Sequence, residues 1–389
     1  YNRSGAIIIL AGFLNGIKQV TDETICGITN ETGKKFSLYN CFTMSCSIDH
    51  DGEIVHSTIE STKVIFGTHD ASPKYFGIQF RIPQISNLLS KINFDQNIKD
   101  QNKFAVEFNT YEEEKLKLSE ELDLIIVEAA HINENNKDRQ AFHIELKLYL
   151  RILSNQKIAD DLLTNQVRHL RRFFEFVCHA KLEQVDTSLI EDPEKAWETN
   201  EIHLSRIYKK DNEKIDRDKI LFEKDDLALK LHYLLLNWFE LKKTHREPID
   251  RYFDALESQN SNPILTFLWI VSAIEELHKI RAGRNGFSFE GRLTQVCNRW
   301  SEAIHKPNIE KHLTIIKDTR HYYAHGAGDL RNKSAHDWEL IRYNCFLVAL
   351  YNLEILSLLG NTDEDVIKIA NKKYWMKNYL SMLVFAGDQ

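Results

Sequence analysis

One predicted helix in the carboxy-terminal half of the chain ends with an arginine and a histidine five residues apart, Arg320 and His325. These two residue types suffice for RNA transesterification. Arginine stays charged at any physiological pH, and its planar guanidinium fits phosphate oxygens. A neutral imidazole takes a proton from a ribose 2′-hydroxyl, or relays one to the leaving oxygen, near pH 7. Because neither role needs a metal ion, the pair predicts metal-independent RNA cleavage.

Arg320 lies in register with apolar residues of the same helix. Ile309, Leu313, Ile316 and Tyr323 share its stripe, because the eleven residues from Ile309 to Arg320, at ~100° each, return to within about 20° of the start. Arg320 is therefore expected on the apolar face. A desolvated guanidinium needs a partner, since burying it alone costs several kcal/mol. A structural ion pair is the alternative role for this arginine.

The spacing of the pair raises a geometric difficulty. Residues five apart on an ideal helix point ~140° away from each other. Arg320 and His325 converge only if the helix ends before His325 or if two subunits share one site. Gly326 and Gly328 would make an early helix end easy. A histidine that merely ends a helix is the alternative for His325.

The carboxy-terminal half is predicted to be an all-α bundle. Asn262 and Pro263 form a helix start signal, and Ser334 with Asp337 resembles a capping box. The last helix is apolar on more than one face, which places it centrally in a bundle or in a dimer interface. Helices are predicted at 227–238, 249–257, 263–280, 307–326 and 338–359.

The amino-terminal half is predicted to be β-rich. Its apolar runs are rich in β-branched and aromatic residues, and several alternate with polar residues. One helix is predicted at 159–180, and the charged run 209–226 indicates a connector. The chain is therefore an α+β multidomain protein with a β-rich domain at 1–212 and a helical domain at 213–389. Strands are predicted at 6–10, 36–47, 54–66, 75–82, 103–109, 122–129 and 142–153.

Composition excludes some classes of function. The formal net charge of -7 argues against a protein coated in nucleic acid, although residues 278–342 hold twelve Lys or Arg against seven Asp or Glu, which suits a local RNA surface. A solvated surface is the alternative. No apolar run is long enough to span a membrane. Six scattered cysteines without a CxxC pair predict reduced thiols and a cytoplasmic location.

No metal or cofactor motif is present. Cys41 and Cys46, with His50 and His69 nearby, do not form a convincing zinc set, and the chain has no P-loop or HExxH pattern. We therefore expect no metal and no cofactor.

Several segments resemble one known family. Arg320 and His325 match the R-x4-6-H signature of HEPN domains, and His321 matches the polar residue that often follows the arginine. The whole chain resembles the ApeA-type anti-phage HEPN proteins. The segments that carry this resemblance, apart from the motif, are 62–69, 170–176 and 267–278.

The resemblance implies an all-α HEPN domain that dimerises with two Arg–His motifs facing each other. It implies RNA cleavage that leaves a 2′,3′-cyclic phosphate and a 5′-hydroxyl, with host or phage RNA, plausibly tRNA, as target. It also implies abortive infection and a phage protein as trigger. Ala327 stands where HEPN toxins silenced by adenylylation carry tyrosine, so this control is not expected.

The expected site contains Arg320, His325 and His321 as catalytic residues. Tyr323 would support them, and either Glu275 or Glu276 on a neighbouring helix would orient the guanidinium. Two other functions stay open. One is a HEPN fold that binds RNA or a nucleotide without cutting and acts as a phage sensor; the other is a structural dimer that receives a phage protein.

Overall fold

The computed structural model describes residues 6–11, 21–29, 32–48, 54–67, 73–90, 95–100, 103–107, 113–134, 142–195, 199–204, 215–259, 261–283, 286–304 and 309–385. Two compact units divide the chain. The first contains Tyr1–Glu175 and Lys181–Lys214, and the second contains Phe176–Ala180 and Ile215–Gln389. The domain boundary predicted at residues 212 and 213 lies outside the described residues and stays a prediction.

The first unit is built on an antiparallel sheet. Its order is β2-β3-β4-β12-β11-β5-β10-β9-β8, with β1 also paired to β4, and β6 and β7 form a separate hairpin. The described strands are β1 Ala6–Ala11, β2 Thr21–Ile28, β3 Lys35–Ile48, β4 Ile54–Phe66, β5 Lys74–Arg81, β6 Asp95–Asp100, β7 Lys103–Glu107, β8 Glu113–Lys117, β9 Leu122–Glu134, β10 Phe142–Ala159, β11 Val185–Ile190 and β12 Thr199–Leu204.

Alternation of apolar side chains places the core of this unit on one face of the sheet. Ile78 on β5 lies opposite Ile152 on β10, and both are fully buried with Phe80 and Leu150. Side chains of successive strand residues point to opposite faces, so the apolar residues of both strands meet on the same face. The strands predicted at 75–82, 122–129 and 142–153 are confirmed.

The helices carry most of the second unit. The first unit contains α1 Ser86–Leu89 and most of α2 Asp160–Cys178. The second unit contains α3 Lys224–Thr244, α4 Arg246–Ser258, α5 Pro263–Ala282, α6 Phe289–Arg299, α7 Ser301–Ile304, α8 Ile309–His325, α9 Asp337–Leu358, α10 Asp363–Lys372 and α11 Tyr374–Ser381. All five helices predicted for this half are confirmed, with ends that differ by a few residues. Pro307 lies outside the described residues.

Helix α9 is the centre of the bundle. It is buried along almost its whole length, and it packs against α5, α10 and α11. Helix α5 also packs against α4, α6 and α8, so α5 and α8 are neighbours. The prediction of a β-rich half followed by an all-α half is confirmed. Since α9 is enclosed by its own chain, its apolar faces are explained by the bundle.

Two kinds of element were missed by sequence patterns. Strand β8 contains mainly Glu and Lys, as suits the edge of a sheet, where charged side chains block further pairing. Four other described strands (β2, β6, β11 and β12) and five described helices (α1, α6, α7, α10 and α11) were also not predicted. The predicted capping box at Ser334 is wrong, because the Ser334 hydroxyl donates to the Leu330 carbonyl (2.9 Å) and His336 precedes the first residue of α9.

Candidate functional site

Helix α8 continues unbroken through His325. Gly326 then takes a left-handed φ of 67°, and its N–H donates to the Tyr322 carbonyl (3.0 Å), which closes the last turn. Glycine adopts this conformation without the steric cost of a Cβ, so the helix ends here. The alternative in which the helix frays before His325 is therefore wrong.

The two histidines of the motif share one exposed face of α8. The rings of His321 and His325 lie 5.6 Å apart between centroids, and both residues are exposed. Residues four apart on a helix are neighbours, whereas Arg320 and His325 point ~140° apart. Within one chain the helix therefore separates the guanidinium from the His325 imidazole. Sharing between subunits, the other arrangement open to the sequence, stays a prediction.

The Arg320 guanidinium is held from two sides. Its Nη2 donates to Glu275 Oε2 on α5 (3.0 Å), and the guanidinium carbon lies 4.8 Å from the centre of the Phe289 ring. The side chain is 28% exposed, so it is less buried than its apolar stripe predicted. The hydrogen bond to Glu275 uses Nη2, and neither Nη1 nor Nε forms a hydrogen bond to a described residue.

The two candidate glutamates on α5 have different partners. Glu275 contacts Arg320 and also Lys279 (3.0 Å), while Glu276 contacts Lys279 (2.7 Å). Burial lowers the pKa of Lys279, but the hydrogen bonds that its ammonium donates to Glu276 and Glu275, with the attraction of the two carboxylates, outweigh burial and raise the pKa above its ordinary value. Lys279 therefore stays charged, and Glu275 is the glutamate that orients the guanidinium.

Tyr323 faces the segment that follows the helix. Its hydroxyl lies 2.8 Å from His336 Nδ1, while His336 Nε2 lies 2.8 Å from the Arg331 carbonyl oxygen. Because a carbonyl only accepts, Nε2 carries a proton, and in the neutral ring Nδ1 accepts from Tyr323. Burial first, then Tyr322 and Asp337, raises the pKa of Tyr323, which keeps its hydroxyl protonated.

Three residues that position the site were not found from sequence. The buried Thr319 accepts from the Ala335 N–H (2.8 Å) and so ties the chain after the motif to the turn that carries Arg320. Phe289 lies beside the guanidinium, and His336 holds Tyr323. An isolated threonine, phenylalanine or histidine carries no periodic signal, so only tertiary contacts identify these residues.

Much of the predicted basic surplus is used inside the unit. Arg281 and Arg299 both contact the buried Glu354, and Lys317 contacts Glu290. By contrast, neither Arg331 nor Lys333 forms an ion pair with any residue that the structure describes, and both are exposed. The surface able to attract RNA is therefore smaller than the sequence count suggested.

Searches of the described residues for other sites give negative results. No three His, Cys, Asp or Glu side chains in the described ranges are grouped as metal ligands. His50 and His69 and the Cys46 side chain lie outside the described residues. No helix in the described part of the chain is both long and apolar enough to cross a membrane.

Comparison with known proteins identifies the family. The family model described as ApeA N-terminal domain 1 matches residues 2–238, which is more than half of the chain, and the model described as Apea-like HEPN matches residues 268–365. No curated protein and no solved structure matches the chain. The second match includes all of α8 and all of α9. The chain therefore belongs to the ApeA-like HEPN family of anti-phage proteins.

Proposed function

We propose that this protein is a metal-independent endoribonuclease of anti-phage defence that cuts RNA at a site shared by two subunits. The observation that carries the proposal is Arg320 itself. Glu275 accepts a hydrogen bond from Nη2 of the guanidinium, and the other two nitrogens, Nη1 and Nε, remain able to donate to phosphate oxygens. An arginine held in this way is preorganised for a charged transition state, which is where electrostatic stabilisation contributes most.

The roles of the side chains follow from their chemistry. Arg320 binds the scissile phosphate and stabilises the charge that develops on it. His325 acts as general acid or base, and His321, one turn away on the same face, assists it. The ribose 2′-oxygen loses its proton and attacks phosphorus, and the bond to the 5′-oxygen breaks as that oxygen gains a proton. The products are a 2′,3′-cyclic phosphate and a 5′-hydroxyl.

A homodimer solves the geometric problem of α8. Since one helix directs Arg320 and His325 to different faces, the guanidinium of one subunit would meet the imidazole of its partner across a two-fold axis. Two equivalent sites, or one merged site, would then form in each dimer. The HEPN match supports this arrangement, because HEPN domains typically dimerise.

The cellular role follows from family membership. The proposed target is RNA, with tRNA as the first candidate, and its cleavage in the cytoplasm stops growth of the infected cell. The β-rich first unit, which belongs to the ApeA N-terminal domain match, would sense a phage protein and release the nuclease. This part of the proposal rests on the family and not on a site in the sheet.

The test is RNA cleavage by the purified full chain, with and without EDTA, on total bacterial RNA and on tRNA. Arg320→Ala and His325→Ala are compared with two controls at exposed positions, Arg246→Ala on α4 and His232→Ala on α3. We expect cleavage that survives EDTA, leaves a cyclic phosphate, persists in the controls and disappears in the two site variants. Cleavage that persists in both site variants would refute the site, and cleavage abolished by EDTA would refute metal independence.

A second candidate is a HEPN module that binds RNA or a nucleotide without cutting it. The Glu275–Arg320 ion pair favours it, because an arginine neutralised by a glutamate can be purely structural. The two candidates differ in a measurable way. A binding module would retain RNA on a filter but give no cyclic phosphate ends, even when phage proteins are added.

A further inference from the structure

The chain between the Arg–His motif and α9 is a short fixed segment, the 3-10 turn Gly328–Lys333. It begins three residues after His325, so the Cα atoms of Gly328 and His325 are at most ~11 Å apart. The segment then folds back along α8. Two sets of hydrogen bonds show this: the Ala335 N–H donates to the Thr319 hydroxyl, and His336 contacts both the Arg331 carbonyl and the Tyr323 hydroxyl. It therefore lies beside the turns of α8 that carry the motif.

The backbone of this segment is fixed by hydrogen bonds that leave its basic side chains free. The Arg331 carbonyl accepts from His336 Nε2 (2.8 Å), and the Leu330 carbonyl accepts from the Ser334 hydroxyl (2.9 Å). The side chains of Arg331 and Lys333 are exposed and form no ion pair with a described residue, and Asp329 is the acidic member of the segment. The two cationic side chains are therefore attached to a backbone whose conformation is already restricted.

We propose that Arg331 and Lys333 bind the RNA backbone next to the scissile phosphate, and that Tyr323 and His336 are positioning residues that hold this segment for the substrate. The inference rests on the proposed function for its substrate class. Cations on a fixed segment bind phosphates more tightly than cations on a mobile one, because less conformational entropy is lost on binding. Each contact to a phosphate releases counterions, so binding through them depends on salt.

A cavity of about 450 Å³ adjoins the segment, with Lys333 in its lining. Asn332, Lys333 and Lys311 line it together with Asp318 and Glu339. Lysines suit phosphate oxygens, whereas carboxylates and an amide suit the amino groups of a base. This mixture of charge is compatible with a strand that has phosphates on one side and bases on the other.

The experiment measures binding of fluorescently labelled total bacterial tRNA to the full chain in a His325→Ala background, which prevents cleavage. The double variant Arg331→Ala/Lys333→Ala should weaken binding roughly 10-fold and reduce the slope of log Kd against log salt by about 1.4, as expected for two contacts to single-stranded phosphates. The control Lys368→Ala/Lys377→Ala removes the same charge from exposed positions of α10 and α11 and should change neither.

The positioning role is tested with Tyr323→Phe, with Tyr322→Phe as control. Tyr322 is the adjacent tyrosine, and its hydroxyl makes no hydrogen bond to a described residue. Tyr323→Phe should weaken binding about 3-fold and raise KM with kcat nearly unchanged in the active chain. In the Arg331→Ala/Lys333→Ala background it should have no further effect, because the segment no longer carries the contacts.

The outcomes separate this inference from the nuclease proposal. The inference would be overturned if the losses of binding free energy in Tyr323→Phe and in Arg331→Ala/Lys333→Ala were additive. It would also be overturned if the Arg331→Ala/Lys333→Ala chain bound tRNA like its control. Wild-type chain that binds tRNA with the expected variant effects but never cuts would leave the inference standing and remove the nuclease. A His325→Ala chain that binds no tRNA would overturn the inference, whereas the nuclease proposal would still be decided by cleavage of total bacterial RNA.

Discussion

Arg320 differs from Arg299 in what its guanidinium still offers, because Nε, Nη1 and Nη2 of Arg299 all have partners. Arg281 and Arg299 are bound to the buried Glu354, which also accepts from the Trp300 indole N–H (2.6 Å). Those contacts stabilise the bundle interior. Arg320 is partly exposed and bonded through one nitrogen. Arg281 is also bonded through one nitrogen and is 44% exposed, so the proposed phosphate contact of Arg320 is supported by its place in the Arg–His motif and not by exposure alone.

The two adjacent glutamates give a matched test at the residue scale. Each one contacts Lys279, but Glu275 also holds Arg320. We expect Glu275→Ala to lower kcat for RNA cleavage roughly 10- to 100-fold, because a guanidinium displaced by about 1 Å loses much of its effect. Glu276→Ala should lower kcat less than about 3-fold relative to the wild-type chain, because Glu276 does not contact Arg320. Equal losses in steady-state cleavage assays would show that orientation by Glu275 is unimportant.

At the scale of elements, the end of α8 decides where His325 points. Gly326 has a φ of 67°, and a Cβ there would meet open space, so a substitution would be opposed by backbone strain alone. Gly328 also faces open space, but its φ is not in the left-handed range. The two glycines therefore separate backbone strain from the loss of a small residue.

We expect Gly326→Ala to lower the free energy of unfolding by about 1 kcal/mol and to reduce cleavage, because the helix end that presents His325 shifts. Gly328→Ala should be neutral or slightly stabilising. Urea denaturation and RNA cleavage of both variants provide the measurement. A destabilising Gly328→Ala of the same size would contradict the explanation by φ.

A buried histidine, His179, lies in the part of the helical unit that directly follows α2. The ring of His179, which follows α2, stacks on Trp375 of α11 with centroids 3.9 Å apart, and its Nδ1 is buried without a partner among the described residues. Burial, with a smaller effect of the positive Lys219, lowers the pKa of His179 from 6.5 to about 4. Protonation of this ring therefore opposes folding.

The sign of the pH effect follows from the pKa. Between about pH 4 and 6.5 the unfolded chain binds more protons at His179 than the folded chain, so stability falls as pH decreases through this range. The contribution is no more than about 3 kcal/mol. His179→Phe keeps a ring on Trp375 and should remove this part of the dependence. Urea denaturation of both proteins at pH 4.5 and 7.5 measures it, and parallel losses would contradict the assignment.

At the scale of the whole molecule, the proposed site needs two chains. An intact α8 directs Arg320 and His325 apart, and the bundle encloses α9 within one chain. In the proposed dimer, the second copy would supply the missing side chain through a surface other than α9. Two inactive variants that lack different residues of the proposed site should therefore complement each other when they form a heterodimer.

We expect Arg320→Ala and His325→Ala chains, each inactive, to recover activity when co-expressed. Half of a random mixture is heterodimer, and each heterodimer has one complete site, so recovery should reach about a quarter of the wild-type rate. Cleavage by the purified mixture is the measurement. A mixture of Arg320→Ala with the Arg320→Ala/His325→Ala double variant is the control and should stay inactive. Absence of recovery in the first mixture would place Arg320 and His325 in the same chain.

The sequence by itself determined the class of the fold and the place of the motif. Alternation identified β5, β9 and β10, helical periodicity identified α8, and the apolar faces of α9 predicted its central position. These signals are local, since each depends on spacing within one element. Elements with few apolar residues, such as the edge strand β8, gave no such signal.

Only the tertiary structure decided which partners meet. Glu275 and Glu276 are adjacent in sequence and point ~100° apart on α5, so the packing of α5 against α8 selects Glu275 as the partner of Arg320. The contact of Thr319 with Ala335, and that of Tyr323 with His336, depend on how the chain folds back after Gly326. Periodicity fixes the face of a helix, but rotation and packing against its neighbours decide which side chain that face contacts.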